Sequence, residues 1–213
     1  MTTPRTRLIL VALISCAVTA VAMLLINGRT APPGDASPEA GFSRDMAVHH
    51  AQAVEMSFAV RDASADPKIR SLAYDIITTQ TAQRGVFMGW LQQWGLDQAG
   101  SRPAMAWMAG HGHGSSPDMS DMAGGKMPGM ASVDELKKLR AAKGKDAEIL
   151  FLQLMIRHHE GGVQMAQAVL KLSEREEVRG MAQNIVNTQD SEIGYMTELL
   201  KERGAQPYPS ILK

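Results

Sequence analysis

Two stretches of the chain repeat apolar positions at the spacing of one helix face. Between Phe42 and Val60, apolar residues and a histidine are separated alternately by four and three residues, at positions 42, 46, 49, 53, 56 and 60. The same steps recur at positions 151, 155, 158, 162, 165 and 169. Such spacing keeps the side chains on the seam of a helix packed in a bundle, so we expect two helices of this kind.

The two stretches belong to an internal duplication in which matching residues are 109 positions apart. The same offset aligns Ile76–Gln80 with Ile185–Gln189, and about 55 residues are repeated without a gap. Each repeat is expected to form a helical hairpin. Because neither hairpin could bury its apolar face alone, the two should pack as a four-helix bundle with pseudo-twofold symmetry. No stretch alternates polar and apolar residues as a strand does, so the predicted fold is all-α.

Capping residues set the predicted boundaries. Asp66-Pro67 separates the two helices of the first hairpin, Gly95 ends the second of them, and Ser132-Val-Asp-Glu135 is a capping box for a shorter helix. The last helix is expected over about 174–203. The predicted segments are a membrane anchor (1–27), a linker (28–40), a first hairpin (41–96), a connecting loop (97–131), a second hairpin (132–205) and a tail (206–213).

The N-terminal segment contains an uncharged run, Leu8–Ile26, of 19 residues. As a helix this run would span about 28 Å, close to the thickness of a bilayer core, which predicts a single transmembrane helix. Arg5 and Arg7 precede it and favour a cytoplasmic N-terminus, with the rest of the protein on the extracytoplasmic side of the cell membrane. A cleaved signal peptide and a lipoprotein processed at Cys16 are the alternatives.

Charge and composition narrow the functional classes. The formal net charge is zero, so there is no electrostatic footprint for nucleic acid. The single cysteine excludes a disulfide framework. The chain has 15 methionines, and their positions relative to the six histidines carry the chemical prediction.

Each repeat contains a pair of adjacent histidines flanked by methionines on the predicted seam. The candidate metal ligands are Met46, His49, His50 and Met56 in the first repeat and Met155, His158, His159 and Met165 in the second. Imidazole nitrogen and thioether sulfur together suit copper, Cu(I) more than Cu(II). The alternative is that these histidines are hydrogen-bonded core residues and the methionines are packing.

Polar seam residues on the second helix of each hairpin extend this candidate site. Gln80 and Gln189 could orient an imidazole through a hydrogen bond, or could fix the helix register as buried polar contacts. Glu192 and Met196 are further candidate ligands, with Gln83 and Phe87 at the matching positions of the first repeat. Two sites would therefore be unequal, which makes the second repeat the stronger candidate for metal binding.

The connecting loop holds another group of soft donors in a Gly- and Ser-rich background. These candidates are Met105, Met108, His111, His113, Met119, Met122, Met127 and Met130. We expect no core for the methionines to pack against in such a loop, which favours capture of copper. A hydrophobic loop that faces a membrane or a partner, and low-complexity drift, are the alternatives.

The second repeat resembles a known family. Met155-x-x-His158-His159, Met165 and the later Gln189-x-x-Glu192-Ile193-x-x-Met196 are similar to the bacterial family called domain of unknown function 305. The resemblance implies a ferritin-like four-helix bundle in an extracytoplasmic protein associated with copper binding and copper tolerance.

The leading hypothesis is a membrane-anchored periplasmic or extracellular protein that buffers copper or passes it to a cuproprotein. It is expected to be a binding protein and not an enzyme. The alternatives are an accessory or structural subunit of a membrane respiratory complex, and a ferritin-like di-iron enzyme. The di-iron class needs Glu three residues before each ligand histidine, where this chain has Met46 and Met155.

Overall fold

A computed structural model describes residues 4–108 and 127–212. The helices are α1 (Pro4–Thr30), α2 (Pro38–Ala63), α3 (Pro67–Gln93), α4 (Val133–Ala141), α5 (Gly144–Leu172) and α6 (Glu176–Glu202), with a short 3-10 helix at Ala106–Met108. Across these described ranges the structure is helical and contains no strand. The predicted all-α class is therefore confirmed.

The chain divides into two compact units, residues 1–33 and residues 34–213. In the first unit α1 continues to Thr30, into the predicted linker, since Gly28 weakens a helix without ending it whereas Pro32 and Pro33 cannot continue one. Within the described part of the chain no helix combines the length and apolarity needed to cross a bilayer. The predicted membrane anchor is therefore not supported.

Local caps place the helix ends close to the predicted positions. The Asp66 carboxylate accepts a hydrogen bond from the backbone N–H of Lys68 at the start of α3. Gly95 and Gly204 follow α3 and α6 with φ of +70° and +72°, a conformation that favours glycine at a helix end. Ser132 and Glu135 form the predicted capping box at the start of α4.

In the second unit α2 packs against α3 and α5 packs against α6, and the two hairpins meet mainly through α2 and α5. A crossed pair of buried hydrogen bonds shows the symmetry of this arrangement. The Ser64 hydroxyl donates to Glu148 across 2.6 Å, and the Ser173 hydroxyl donates to Glu39 across 2.7 Å. The two serines are 109 positions apart, and so are the two glutamates. The duplicated sequence therefore forms a structure with pseudo-twofold symmetry.

One end of the bundle departs from this symmetry. Arg203 forms a buried ion pair with Glu148 (2.8 Å) and a partly exposed one with Asp66 (2.7 Å). The residue at the matching position of the first repeat is Trp94, and there Arg175 lies over the Trp94 ring at 5.8 Å. An ion-pair network at one end thus corresponds to a cation–π contact at the other.

The start of the connecting loop packs against the core, contrary to the prediction that its methionines would have nothing to contact. Met105 and Trp107 are each only 4% exposed. The buried Asp45 carboxylate holds them, because it accepts hydrogen bonds from the Met105 backbone N–H (2.7 Å) and from Trp107 Nε1 (2.8 Å). Met108 and Met127 pack against the same cluster. Asp45 on α2 therefore fixes the start of the loop against the core, a contact that the composition of the loop alone did not reveal.

Candidate metal site

The two His-His pairs lie between two apolar clusters of the second unit. One cluster contains the N-terminal part of α2 with the C-terminal part of α5, and the other contains the reverse combination. On each helix the histidines occupy the positions between the clusters, and all four are fully buried. The antiparallel crossing of α2 and α5 therefore brings the motifs of both repeats to one level of the bundle.

The closest imidazoles come from different repeats. The rings of His49 and His158 have centroids 3.7 Å apart and an interplanar angle of 31°. The rings of His158 and His159, adjacent in sequence, have centroids 6.4 Å apart. The structure therefore joins the first histidine of each pair across the helix interface.

Three of the four imidazoles form a hydrogen bond through Nε2. His49 Nε2 lies 3.1 Å from the carbonyl oxygen of Pro128. His50 Nε2 lies 2.7 Å from Gln83 Oε1, and His159 Nε2 lies 2.6 Å from Glu192 Oε2. Since each of these oxygens accepts a hydrogen bond, each Nε2 is the protonated nitrogen and Nδ1 carries the lone pair.

The remaining ring nitrogens are buried without partners. Nδ1 of His49, His50 and His159 has no hydrogen-bond partner, and both ring nitrogens of His158 lack one. Buried polar atoms are nearly always hydrogen-bonded, because desolvation without a partner costs about 1–3 kcal/mol for each group. Several partnerless nitrogens at one level of the bundle fit a site that binds a cation.

Burial also keeps the imidazoles of His49, His50 and His158 neutral. It lowers the pKa of His49 to about 4 and that of His50 to about 3, with the charge of His49 as the next cause at His50. Burial, followed by the charge of His49, lowers the pKa of His158 well below its usual value. Neutral imidazole is the form that ligates metals, so these three side chains need not lose a proton first.

Thioether groups lie in the clusters on both sides of the histidines. Met46 and Met165 belong to one cluster, and Met56, Met155 and Met196 belong to the other. All five are fully buried. Across residues 4–108 and 127–212 no group of three or more His, Cys, Asp or Glu side chains is arranged to hold a metal ion. Along the seam, the methionines Met46 and Met155 stand one turn before His49 and His158 in the sequence.

The orienting contacts of His50 and His159 differ from the two candidate amides, Gln80 and Gln189. Gln80 is buried, but neither its amide nitrogen nor its amide oxygen has a hydrogen-bond partner, and Gln189 Oε1 also lacks one. The orienting contacts come instead from Gln83 and Glu192, each three residues further along its helix. Glu192, predicted as an additional ligand, is a hydrogen-bond acceptor for His159.

A strap segment (residues 127–131) covers the histidine level. Gln52 holds it through two hydrogen bonds, since its amide oxygen accepts from the Ala131 N–H at 2.7 Å and its amide nitrogen donates to the Ala131 carbonyl at 3.0 Å. A Cβ added at Gly161 would lie 2.0 Å from the carbonyl oxygen of Pro128. Neither Gln52 nor Gly161 is among the residues predicted from the sequence, although the adjacent glycines Gly161 and Gly162 within a predicted helix indicate a close backbone approach.

Replacing Gly161 with Ala is expected to displace the strap segment and to lower the free energy of unfolding by about 1–3 kcal/mol, because the new methyl group would overlap the Pro128 carbonyl. Chemical denaturation followed by circular dichroism measures this change. Gly180→Ala is the matched control, since a Cβ at this exposed position of α6 meets nothing within 4 Å. That control should stabilise the protein by up to about 1 kcal/mol. Equal effects of the two substitutions would contradict the close contact.

The loop candidates divide into two groups. Met105 is buried, and Met108, Met127 and Met130 are partly buried. His111, His113, Met119 and Met122 lie outside the described residues. Of the loop donors, Met127 and Met130 are thus carried by the strap segment that contacts His49 through Pro128.

The part of the chain that matches known proteins includes both hairpins of the second unit. The family model described as Domain of unknown function (DUF305) matches residues 39–200. The crystal structure of a DUF305 protein from Streptomyces coelicolor is 45% identical, with a TM-score of 0.73, and the match covers 83% of this chain and 99% of that one. A DUF305 fragment from Deinococcus radiodurans is 33% identical, with a TM-score of 0.62, over 80% and 99% of the two chains.

A third similar structure is CopM in its Cu(I)-bound form. It is 24% identical, with a TM-score of 0.56, and the match covers 80% of this chain and 97% of that one. CopM has also been solved in Cu(II)-bound, silver-bound and apo forms. At this identity the likeness shows the fold. A search of curated proteins finds no match.

Proposed function

This chain belongs to the DUF305 family, and we propose that it binds copper through the buried imidazole and thioether groups of its two repeats. The observation that carries the proposal is the set of buried, partnerless ring nitrogens of His49, His50, His158 and His159. Their surroundings supply thioethers, and a nitrogen–sulfur donor set favours copper over hard cations. The metal-bound forms of CopM, a protein of similar fold, support the same choice of metal.

The described residues support binding in preference to catalysis. The imidazoles would hold the ion, the buried methionines on both sides of them would complete its coordination, and the clusters would exclude water. When bound, Cu(I) would accept electron density from these neutral donors without needing a charged ligand. Thioethers are weak ligands that exchange readily, which suits a buffer, a tolerance protein or a metallochaperone that transfers copper to another protein.

The proposed location is outside the cytoplasm. Its support is the order of the N-terminal residues, in which Arg5 and Arg7 precede the apolar run Leu8–Ile26, as in exported proteins. Fusion of alkaline phosphatase to the C-terminus tests the location, since that enzyme is active only after export. An inactive fusion would contradict it.

Copper loading of the full chain tests the function. We expect the wild-type protein to bind more than one equivalent of Cu(I), measured by elemental analysis after removal of free metal. Replacement of His49 and His158 with Gln should remove bundle-bound copper. The matched control replaces His111 and His113 with Gln, which leaves the bundle donors in place.

The two double variants separate the bundle from the connecting loop. Circular dichroism should show that both remain helical, so that any lost metal reflects lost ligands. Unchanged stoichiometry in the His49/His158 variant would contradict the proposed bundle site. Zinc and iron loading of the same samples would show a preference for another metal, and iron binding with oxidase activity would favour the di-iron alternative.

A further inference from the structure

The two repeats present different groups to equivalent histidines. In the first repeat His50 Nε2 contacts the neutral amide oxygen of Gln83 at 2.7 Å. In the second repeat His159 Nε2 contacts the carboxylate of Glu192 at 2.6 Å. Both contacts join the first helix of a hairpin to the second, at positions related by the repeat offset. The geometry is thus shared by the two repeats, and the charge differs.

Each contact fixes which ring nitrogen is free. An amide oxygen and a carboxylate oxygen both accept hydrogen bonds, so the proton of His50 and of His159 lies on Nε2. The lone pair then lies on Nδ1, which is buried and has no hydrogen-bond partner in either residue. A carboxylate or amide that holds one nitrogen of a ligand histidine also fixes the orientation of its ring.

The Glu192 carboxylate lies directly against a buried imidazole. The Glu192 side chain is 19% exposed, and the His159 side chain is fully buried. A carboxylate bonded to an imidazole makes the opposite ring nitrogen a stronger donor, and its negative charge attracts a cation held at that nitrogen. Both effects increase with the charge of the ion, so they favour Cu(II) more than Cu(I). Gln83 provides the orientation without the charge.

We propose that Gln83 and Glu192 are positioning residues that present Nδ1 of His50 and His159 to copper, and that Glu192 makes the α5–α6 half the stronger site, above all for Cu(II). This inference rests on the proposed function. It assigns Glu192 a role beside the metal and not as its ligand, and it gives the two halves of the duplication different affinities.

Nuclear magnetic resonance of the metal-free protein tests the positioning. With 15N-labelled histidine, His50 and His159 are expected as Nε2–H tautomers in long-range 1H–15N spectra. Added Cu(I), which is diamagnetic, should shift their Nδ1 resonances. Glu192→Gln should keep the tautomer, whereas Glu192→Leu should lose the preference. An Nδ1–H tautomer in the wild type, or a metal-induced shift at Nε2, would overturn the assignment.

Competition with chelators measures how the charge of Glu192 affects the affinity for copper. Glu192→Gln is expected to weaken Cu(II) binding at the α5–α6 half about tenfold, with a smaller change for Cu(I). Gln83→Glu should strengthen Cu(II) binding at the α2–α3 half, and it also provides a test if the first variant folds poorly. Glu198→Gln, which removes an exposed charge from α6, is the matched control and should leave both affinities unchanged.

The outcomes separate this inference from the function on which it rests. A wild-type chain that binds no copper overturns the proposed function, and a wrong tautomer still overturns the positioning. Copper binding with the same Cu(II)-to-Cu(I) preference in the wild type and both charge variants would leave the proposed function standing and refute the role of Glu192.

Discussion

Acidification of the metal-free protein from pH 7.5 to pH 5 is expected to remove about 4 kcal/mol of folding free energy through His49 and His50 alone. Burial lowers the pKa of these side chains to about 4 and about 3, whereas in the unfolded chain they titrate near 6.5. As the pH falls below 6.5 the unfolded chain therefore binds more protons, so stability falls with pH. His158 contributes in the same direction.

Asp45 opposes this trend, because burial raises its pKa and the folded protein then takes up a proton more readily in acid. We expect the stability gained from Asp45 in acid to be smaller than the stability lost through the three histidines. Since domains are typically stable by about 5–15 kcal/mol, the loss should bring the protein close to unfolding at pH 5.

Denaturant titrations at several pH values, with a chelator present, measure this dependence. The variant His50→Gln is the control, since it removes one titrating imidazole and should reduce the loss at pH 5 by about 2 kcal/mol. Equal stability of the wild type at pH 7.5 and pH 5 would show that the imidazoles are not desolvated as the structure indicates.

Replacing Glu148 with Leu is expected to lower the free energy of unfolding by about 3–5 kcal/mol, because it removes the more deeply buried of the two carboxylates that pair with Arg203. The Arg203 side chain is only 6% exposed, so water cannot replace that partner freely. Urea or thermal denaturation at pH 7.5 measures the loss.

The duplication supplies a matched control for this prediction. Glu39 occupies the equivalent position and accepts a hydrogen bond from Ser173, but the residue that matches Arg203 in its half is Trp94. Glu39→Leu should therefore cost about 1–3 kcal/mol, the penalty for a lost hydrogen bond. Equal losses in the two variants would show that the ion pair with Arg203 contributes nothing beyond the serine contact.

Local features of the sequence were sufficient for most of the helical scaffold. Asp66-Pro67, the Ser132–Glu135 capping box and the glycines at 95 and 204 act within a few residues of their own positions, so their effects can be deduced without the fold. The membrane anchor is the exception, since the length and composition of Leu8–Ile26 predicted a span that the described residues do not support.

The partners of the imidazoles could not be assigned from spacing. Gln80 and Gln83 are three residues apart on one helix and both lie near the predicted seam, so a modest rotation of α3 decides which amide reaches His50. The same holds for Gln189 and Glu192 on α6. Periodicity gives the face of a helix and not its rotation against a neighbour, so it could not distinguish the two members of each pair.

The sequence by itself determined the helices, their duplication and the placing of imidazole and thioether groups on one seam, because a periodic pattern fixes which residues share a helix face. Only the tertiary structure decided that the His49 ring lies against the His158 ring, that Pro128 of the strap segment contacts His49, and that Glu192 holds His159. Those contacts join residues far apart in the chain, and their geometry depends on how α2 and α5 cross.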